Sequence, residues 1–137
     1  MTVEIEKRRR VLIVDDERLI TSTLVTIFSQ RGYETEGVYS AEQAIALLED
    51  WHPELVIIDV LLPAMNGIDL AIRVRSQWPG CHISLFSGQA ATADLLELAI
   101  QSGHTFDVLA KPVHPTELLE MAGRLLGEPP ASIAYES

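Results

Sequence analysis

Each of four short apolar runs in the chain ends in residues able to do chemistry. Asp15 and Asp16 follow Val11-Leu12-Ile13-Val14, and Asp59 closes Leu55-Val56-Ile57-Ile58. Ser87 closes Ile83-Ser84-Leu85-Phe86, and Lys111, followed by Pro112, closes Val108-Leu109-Ala110. Short apolar runs alternating with helical patterns read as parallel strands in βαβ units. In such sheets the ligand site lies outside the carboxyl ends of the strands. One sheet edge therefore receives three carboxylates, a hydroxyl and an ammonium. That set suits Mg²⁺-assisted phosphoryl transfer onto a carboxylate, with Mn²⁺ as the alternative cation. Mg²⁺ takes oxygen ligands and keeps several waters, and clustered carboxylates repel one another unless a cation joins them. Asp59, on the central strand, is the candidate nucleophile, forming an acyl phosphate. Lys111 and Ser87 supply donors for the other phosphoryl oxygens. Gly88 leaves room beside them.

The elements that position these groups can be read in turn. Residues 1–10 form a polar lead-in, 11–127 the folded body, and 128–137, with Pro129-Pro130, a loose tail. The first helix carries Ile20, Leu24, Ile27 and Phe28 on one face, with Gly32 placed to end it. Tyr33–Val38 alternates like an edge strand. Ser40 is a good N-cap with Gln43 as its capping-box partner. The third helix spans about Gly67 to Gln77, the fourth about Ala91 to Gln101. The fifth begins near Pro115, with His114 as its cap. Strands one and three through five are nearly continuous in apolar residues, as parallel strands covered on both faces should be. The expectation is a doubly wound α/β fold: a five-stranded parallel sheet of order 2-1-3-4-5 with helices on both faces. Its switch point lies between Asp15-Asp16 and Asp59.

Composition narrows the function. The 137 residues are 47% hydrophobic, which fits one folded domain. Twenty acidic against ten basic residues give a net charge of −10, which argues against a phosphate-tracking nucleic-acid surface. The one basic cluster, Lys7-Arg8-Arg9-Arg10, reads as a solvated strand flank. A single cysteine, Cys81, excludes an intramolecular disulfide. No apolar run approaches the ~20 residues of a membrane span, and the polar start lacks a signal-peptide core. A cytoplasmic location without membrane contact is expected. The four histidines have no ligand spacing, and Trp51 and Trp78 sit where they would cover the rim of the core.

Taken together, Val-Asp-Asp-Glu at 14–17, Asp59 with Pro63 and Asn66-Gly67, Ser87-Gly88 and Lys111-Pro112 resemble the receiver domain of bacterial response regulators. The resemblance runs from Val11 to Leu126. It implies a flavodoxin-like fold and a phosphoacceptor module of a two-component phosphorelay rather than an enzyme. Asp59 would accept phosphate from a histidine kinase or phosphotransfer protein. Asp15 and Asp16 would hold Mg²⁺ (Asp16 more directly), together with Asp59 and the Leu61 carbonyl. Ser87 and Lys111 would bind phosphoryl oxygens and report their arrival to a downstream protein target. Such domains usually carry Tyr or Phe three residues before the lysine; here that residue is Val108. The stretch from Gln101 to Thr105 is also long for the family. Both departures concern how the signal leaves the site.

Other readings exist for the same residues. Asp15-Asp16 could cap the first helix. A receiver-like docking domain that works without phosphate is the main alternative function. An aspartyl phosphohydrolase would carry a second acid where Leu61 stands. A flavin-binding protein would meet repulsion between its phosphate and Asp15-Asp16-Glu17. The expected output or homodimer surface is the face of helix four, strand five and helix five. There Leu95, Leu96, Leu98, Ala99 and Ile100 exceed one stripe, and Leu119 and Leu126 lie outside the core stripe Leu118-Met121-Ala122-Leu125.

Overall fold

Alternation along the apolar runs sends neighbouring side chains to opposite faces, so each run serves two cores once both faces are covered. The computed structural model, which describes residues 8–88 and 92–127, is built this way. Its elements are β1 (Arg10–Val14), α1 (Arg18–Gln30), β2 (Glu34–Val38), α2 (Ala41–Leu48), β3 (Leu55–Asp59), α3 (Gly67–Gln77), β4 (His82–Ser87), α4 (Thr92–Gln101), β5 (Asp107–Ala110) and α5 (Pro115–Leu126). All pairings are parallel, in the order β2-β1-β3-β4-β5 expected from the sequence. Leu12, Val14, Val56, Ile58 and Leu85 pack with residues of α2 and α3 and with Ala99 of α4. Val11, Ile13, Leu55, Ile57 and Phe86 pack with α1 and α5. The lead-in before residue 8, the tail from 128 and Ala91 lie outside the described residues, and Arg10 already belongs to β1.

Local chemistry sets the helix ends. Gly32 and Gly103 take positive φ just past α1 and α4. The Tyr33 amide then donates to Phe28 O at 3.1 Å and the His104 amide to Ala99 O at 2.8 Å, closing each helix. The Ser40 hydroxyl accepts the Gln43 amide at 3.1 Å. Gln43 Oε1 reaches back to the Tyr39 amide, one residue before the cap. His114 Nδ1 accepts the Thr116 amide at 3.1 Å while Glu117 accepts the His114 amide, a reciprocal cap for α5.

Three further details depart from the sequence expectation. β5 is not covered on both faces: Asp107, Val108 and Ala110 are exposed, because an apolar run at the sheet edge has a neighbour on one side only. On α5 the core stripe ends at Leu126, which is buried, rather than Leu125, which is half-buried; Leu126 joins the cluster of Phe28 and Tyr33. Of the five apolar α4 residues expected on that face, Leu98 and Ile100 stand open, at 60% and 53% exposure. Leu95 and Leu96 pack partly onto the core and Ala99 is buried. Trp51 and Trp78 line the core rim as expected. Cys81 is half-buried, and burial pushes its thiol up to about 12, so it serves as packing rather than as a thiolate.

Candidate functional site

β1 and β3 are adjacent and in register, Val14 opposite Ile58. Their carboxyl ends therefore place Asp15 and Asp59 side by side, both buried. Asp15 is fixed by its own turn. The Glu17 amide donates to Asp15 Oδ1 at 2.9 Å, and the Thr21 hydroxyl donates to the Asp15 carbonyl at 2.7 Å. Glu17, not Asp15 or Asp16, is the N-cap residue of α1, and its side chain makes no cap bond. The Leu61 amide donates to Asp59 Oδ1 at 3.2 Å, which holds the carboxylate from the following loop.

That loop is drawn tightly over the end of β3. Asn66 caps α3 by accepting the Asp69 amide at 2.9 Å, and the Gly67 amide donates to Val60 O at 2.7 Å. A Cβ on Gly67 would run into the Asp59 carbonyl, so the Asn66-Gly67 pair lets α3 begin directly beside the nucleophile candidate.

Lys111 reaches across from the end of β5. Its Nζ lies 3.2 Å from Asp15 Oδ2, 3.1 Å from Asp59 Oδ2 and 3.5 Å from Glu17 Oε1. The Lys111 amide donates to the Ser87 carbonyl at 2.8 Å, which ties the ends of β4 and β5 together and sets Ser87 at the same edge. Gly88 was expected to leave room for phosphate. Its missing side chain makes way for the lysine stem, since a Cβ there would come within 3.1 Å of Lys111 Cβ.

The electrostatics are unequal across the cluster. Burial pushes the Asp15 carboxyl up to about 6, with the Glu17 amide and Lys111 pulling it down and the Asp59 charge pushing it further up. Burial works against the Lys111 ammonium. The hydrogen bond to Asp59, then the charges of Asp59 and Asp15, outweigh it and hold the lysine above its ordinary value. Carboxylate oxygens of Asp15, Glu17 and Asp59 all lie within 4.8 Å of one another. These are hard donors in a partly buried crevice, with one acid carrying an energetic penalty when ionised, and they fit a small divalent cation.

The structure thus brings together Asp15, Asp59 and Lys111, with Ser87 joined through Lys111. Asp16 is exposed and is not among the converging oxygens. Glu17 takes a place that the sequence reading did not give it. The signal was its position two residues beyond a strand-end aspartate, where a turn accepting its amide folds its side chain back toward the strand ends.

Next to this cluster runs an apolar groove of about 560 Å³ between α1 and the start of α5. Leu19, Ile20, Leu24, Phe86, Pro112 and Val113 help line it, as does Lys111. Leu19 is 80% exposed.

Comparisons with known proteins agree with this fold. Residues 11–123 match the family model of the response regulator receiver domain. The chain is 32% identical over 112 residues to the DNA-binding response regulator MtrA of Mycobacterium tuberculosis H37Rv, covering 82% of this chain and 48% of that protein. It thus spans about half the length of the MtrA relatives it matches. It is 30% identical to the chemotaxis protein CheY of Thermotoga maritima, covering 85% of this chain and 97% of that protein. Among solved structures, the signal receiver domain of an HD domain-containing protein from Pseudomonas fluorescens Pf-5 superposes with a TM-score of 0.80 at 31% identity, covering 88% of this chain and 95% of that one. A CheY-like receiver domain from Methanospirillum hungatei JF-1 gives 0.77 at 29%, covering 86% and 93%.

Proposed function

The chain belongs to the response regulator receiver domain family, a phosphoacceptor signalling module of two-component systems, and from that premise we propose that Asp59 is its phosphoacceptor. The observation that carries the assignment is the Lys111 ammonium bridging Asp15 and Asp59 at 3.2 and 3.1 Å across the switch point of the sheet. An Asp59 carboxylate oxygen attacks the phosphorus of a phosphohistidine on a kinase or phosphotransfer protein. The new P–O bond forms as the P–N bond breaks, and the imidazole leaves with its electron pair. Lys111 and Ser87 bind phosphoryl oxygens as the charge on them redistributes. The module accepts and relays the group and turns over no substrate of its own.

Mg²⁺, or Mn²⁺ in its place, belongs to the same proposal. Asp15 and Asp59 would hold it, together with Asp16 and the Leu61 carbonyl, and Glu17 offers a further carboxylate to the same cluster. When bound, the ion neutralises phosphoryl and carboxylate charge. Asp16 stands exposed beside Asp15 and would add a further carboxylate to the residues that hold the ion.

The apolar groove that Leu19 and Lys111 help line, beside the acidic cluster, is the surface proposed for the phosphodonor protein. The downstream target, or a second copy of the chain, meets the face of α4, β5 and α5, where Leu98, Ile100 and Val108 stand exposed. Residues 11–127 form the working receiver body, flanked by the lead-in and the tail. With a net charge of −10 this chain does not bind nucleic acid. No described helix is long and apolar enough to cross a membrane, and the proposed location is the cytoplasm. Nothing in the comparisons favours a docking domain that works without phosphate.

The test is incubation with a small acyl phosphate and Mg²⁺, read by intact mass. One phosphoryl group should appear, and Asp59→Asn or chelation of the metal should abolish it. Undiminished labelling of Asp59→Asn would refute the assignment.

A further inference from the structure

Lys111 is held from two sides. Three carboxylates face its ammonium on one. On the other, Nζ lies 4.8 Å from the centroid of the Phe86 ring. Phe86 is buried in β4 and is the register partner of Asp59 across the β3–β4 ladder. Its carbonyl accepts the Val60 amide at 3.0 Å. The ring is thus fixed to the same backbone that fixes the nucleophile. Behind it the lysine stem passes Gly88, where a Cβ would sit 3.1 Å from Lys111 Cβ and 3.4 Å from Cδ.

These two kinds of partner differ once the site is in use. A carboxylate that takes up a cation, or becomes an acyl phosphate, offers the ammonium less negative charge. The face of an aromatic ring attracts a cation within about 6 Å through its quadrupole, and more strongly where water is excluded. No metal ion competes for that face at a carboxylate site, and it does not titrate. A lysine ammonium sits on a flexible four-carbon stem. Without a partner of this kind it would follow whichever carboxylate remained free, or turn outward into the groove it helps line.

We propose that Phe86 is the positioning residue for Lys111: its ring keeps the ammonium beside Asp59 while the carboxylates exchange their own partners during phosphorylation. This rests on the phosphoacceptor reading of Asp59. Phe86 touches no reacting atom and acts only through the lysine.

The experiment compares the full chain with Phe86→Leu, Phe86→Met and Phe86→Tyr, using a small acyl phosphate with Mg²⁺ as the probe. Phe86→Leu and Phe86→Met should lower the limiting labelling rate about tenfold, equivalent to about 1.4 kcal/mol, with little change in the half-saturating donor concentration. Phe86→Tyr keeps the ring face and should restore the rate to within about threefold of the parent. In a Lys111→Met background, Phe86→Leu should cause no further loss, because the two residues then share one effect. In metal-free protein, the Lys111 ε-methylene protons should show an upfield ring-current shift in the parent and in Phe86→Tyr, and lose it in Phe86→Met. The proposal is overturned if folded Phe86→Met labels at the parent rate. It is equally overturned if Tyr fails to restore the rate, or if the loss persists undiminished without Lys111. Undiminished labelling of Asp59→Asn would overturn the phosphoacceptor reading, and this inference with it.

Discussion

β1 and β3 are sealed from solvent along nearly their whole length, whereas β5, at the sheet edge beyond β4, exposes three of its four residues. The site draws on both. Its carboxylates follow the sealed strands, and its ammonium follows the open one. A group at the end of a buried strand moves only if the core moves, while a lightly packed edge can open locally at low free-energy cost. The acids are therefore held by the strands themselves, whereas Lys111, on the open strand, relies on its contacts with the Ser87 carbonyl and the Phe86 ring. In a two-state switch this is a useful division, since phosphorylation need only bias an element that already has two arrangements.

The largest expected difference between the two regions is in stability. Ile57, fully buried in β3, should cost about 2–5 kcal/mol on truncation to Ala. Val108, 40% exposed in β5, should cost less than about 1 kcal/mol when truncated likewise. Urea denaturation midpoints at constant slope would measure both. Comparable losses at the two positions would show that β5 belongs to the core and would remove the contrast.

A second, smaller effect tests whether the fixed acids are held at the expense of stability. The Asp15 carboxyl is raised from 3.8 to about 6, chiefly by burial. The folded state thus keeps a proton that the unfolded state releases between those values. Stability contributed by that proton is present below pH 4, is lost as the pH rises to about 6, and stays lost above it. Asp15→Asn removes the ionisation and can still accept the Glu17 amide. In metal-free protein the substitution should be near neutral at pH 4. Above pH 6 it should raise stability by on the order of 1–2 kcal/mol, and Mg²⁺ should reduce the advantage. Thermal melts across that pH range with a chelator decide it. A gain that does not grow with pH would mean that the lysine, not burial, governs Asp15.

What the sequence disclosed follows the same division. Val11–Val14 and Leu55–Ile58 are apolar at every position and end in acids, so both the strand type and the location of the site could be read from them. The helix caps were also legible, because Ser40, His114 and Gly32 act through local chemistry. Val108-Leu109-Ala110 looks like the same kind of run, yet its exposure is set by being last in the sheet, which no local pattern records. Glu17 was missed because its return to the crevice depends on the turn after β1. Phe86 was missed because an aromatic in a buried strand reads as core filling until the lysine is seen over its ring. On α5 the choice of Leu126 over Leu125 turns on which residue meets Phe28 and Tyr33, a tertiary contact.

The smallest expected effect on stability, and the sharpest test of the open region, concerns α4. Leu98 and Ile100 are exposed, while Leu96, two residues before Leu98, packs partly onto the core. An exposed apolar side chain loses little when replaced by a charged one, whereas a half-buried one must be drawn out into water or carry its charge inward. Leu98→Glu and Ile100→Glu should therefore change stability by no more than about 0.5 kcal/mol, against about 1–3 kcal/mol for Leu96→Glu. Both exposed variants should label at Asp59 like the parent, because the carboxylates rest on β1 and β3. If the α4–β5–α5 face is the output surface, the same two variants should lose self-association or target binding, measured by light scattering with and without beryllofluoride as a phosphoryl analogue. Charged groups at the centre of an interface are disfavoured, so the loss should be larger in the analogue-bound form that favours assembly. Unchanged association in both forms would place the output surface elsewhere. A stability loss at Leu98 matching that at Leu96 would show that this face is closed in the monomer.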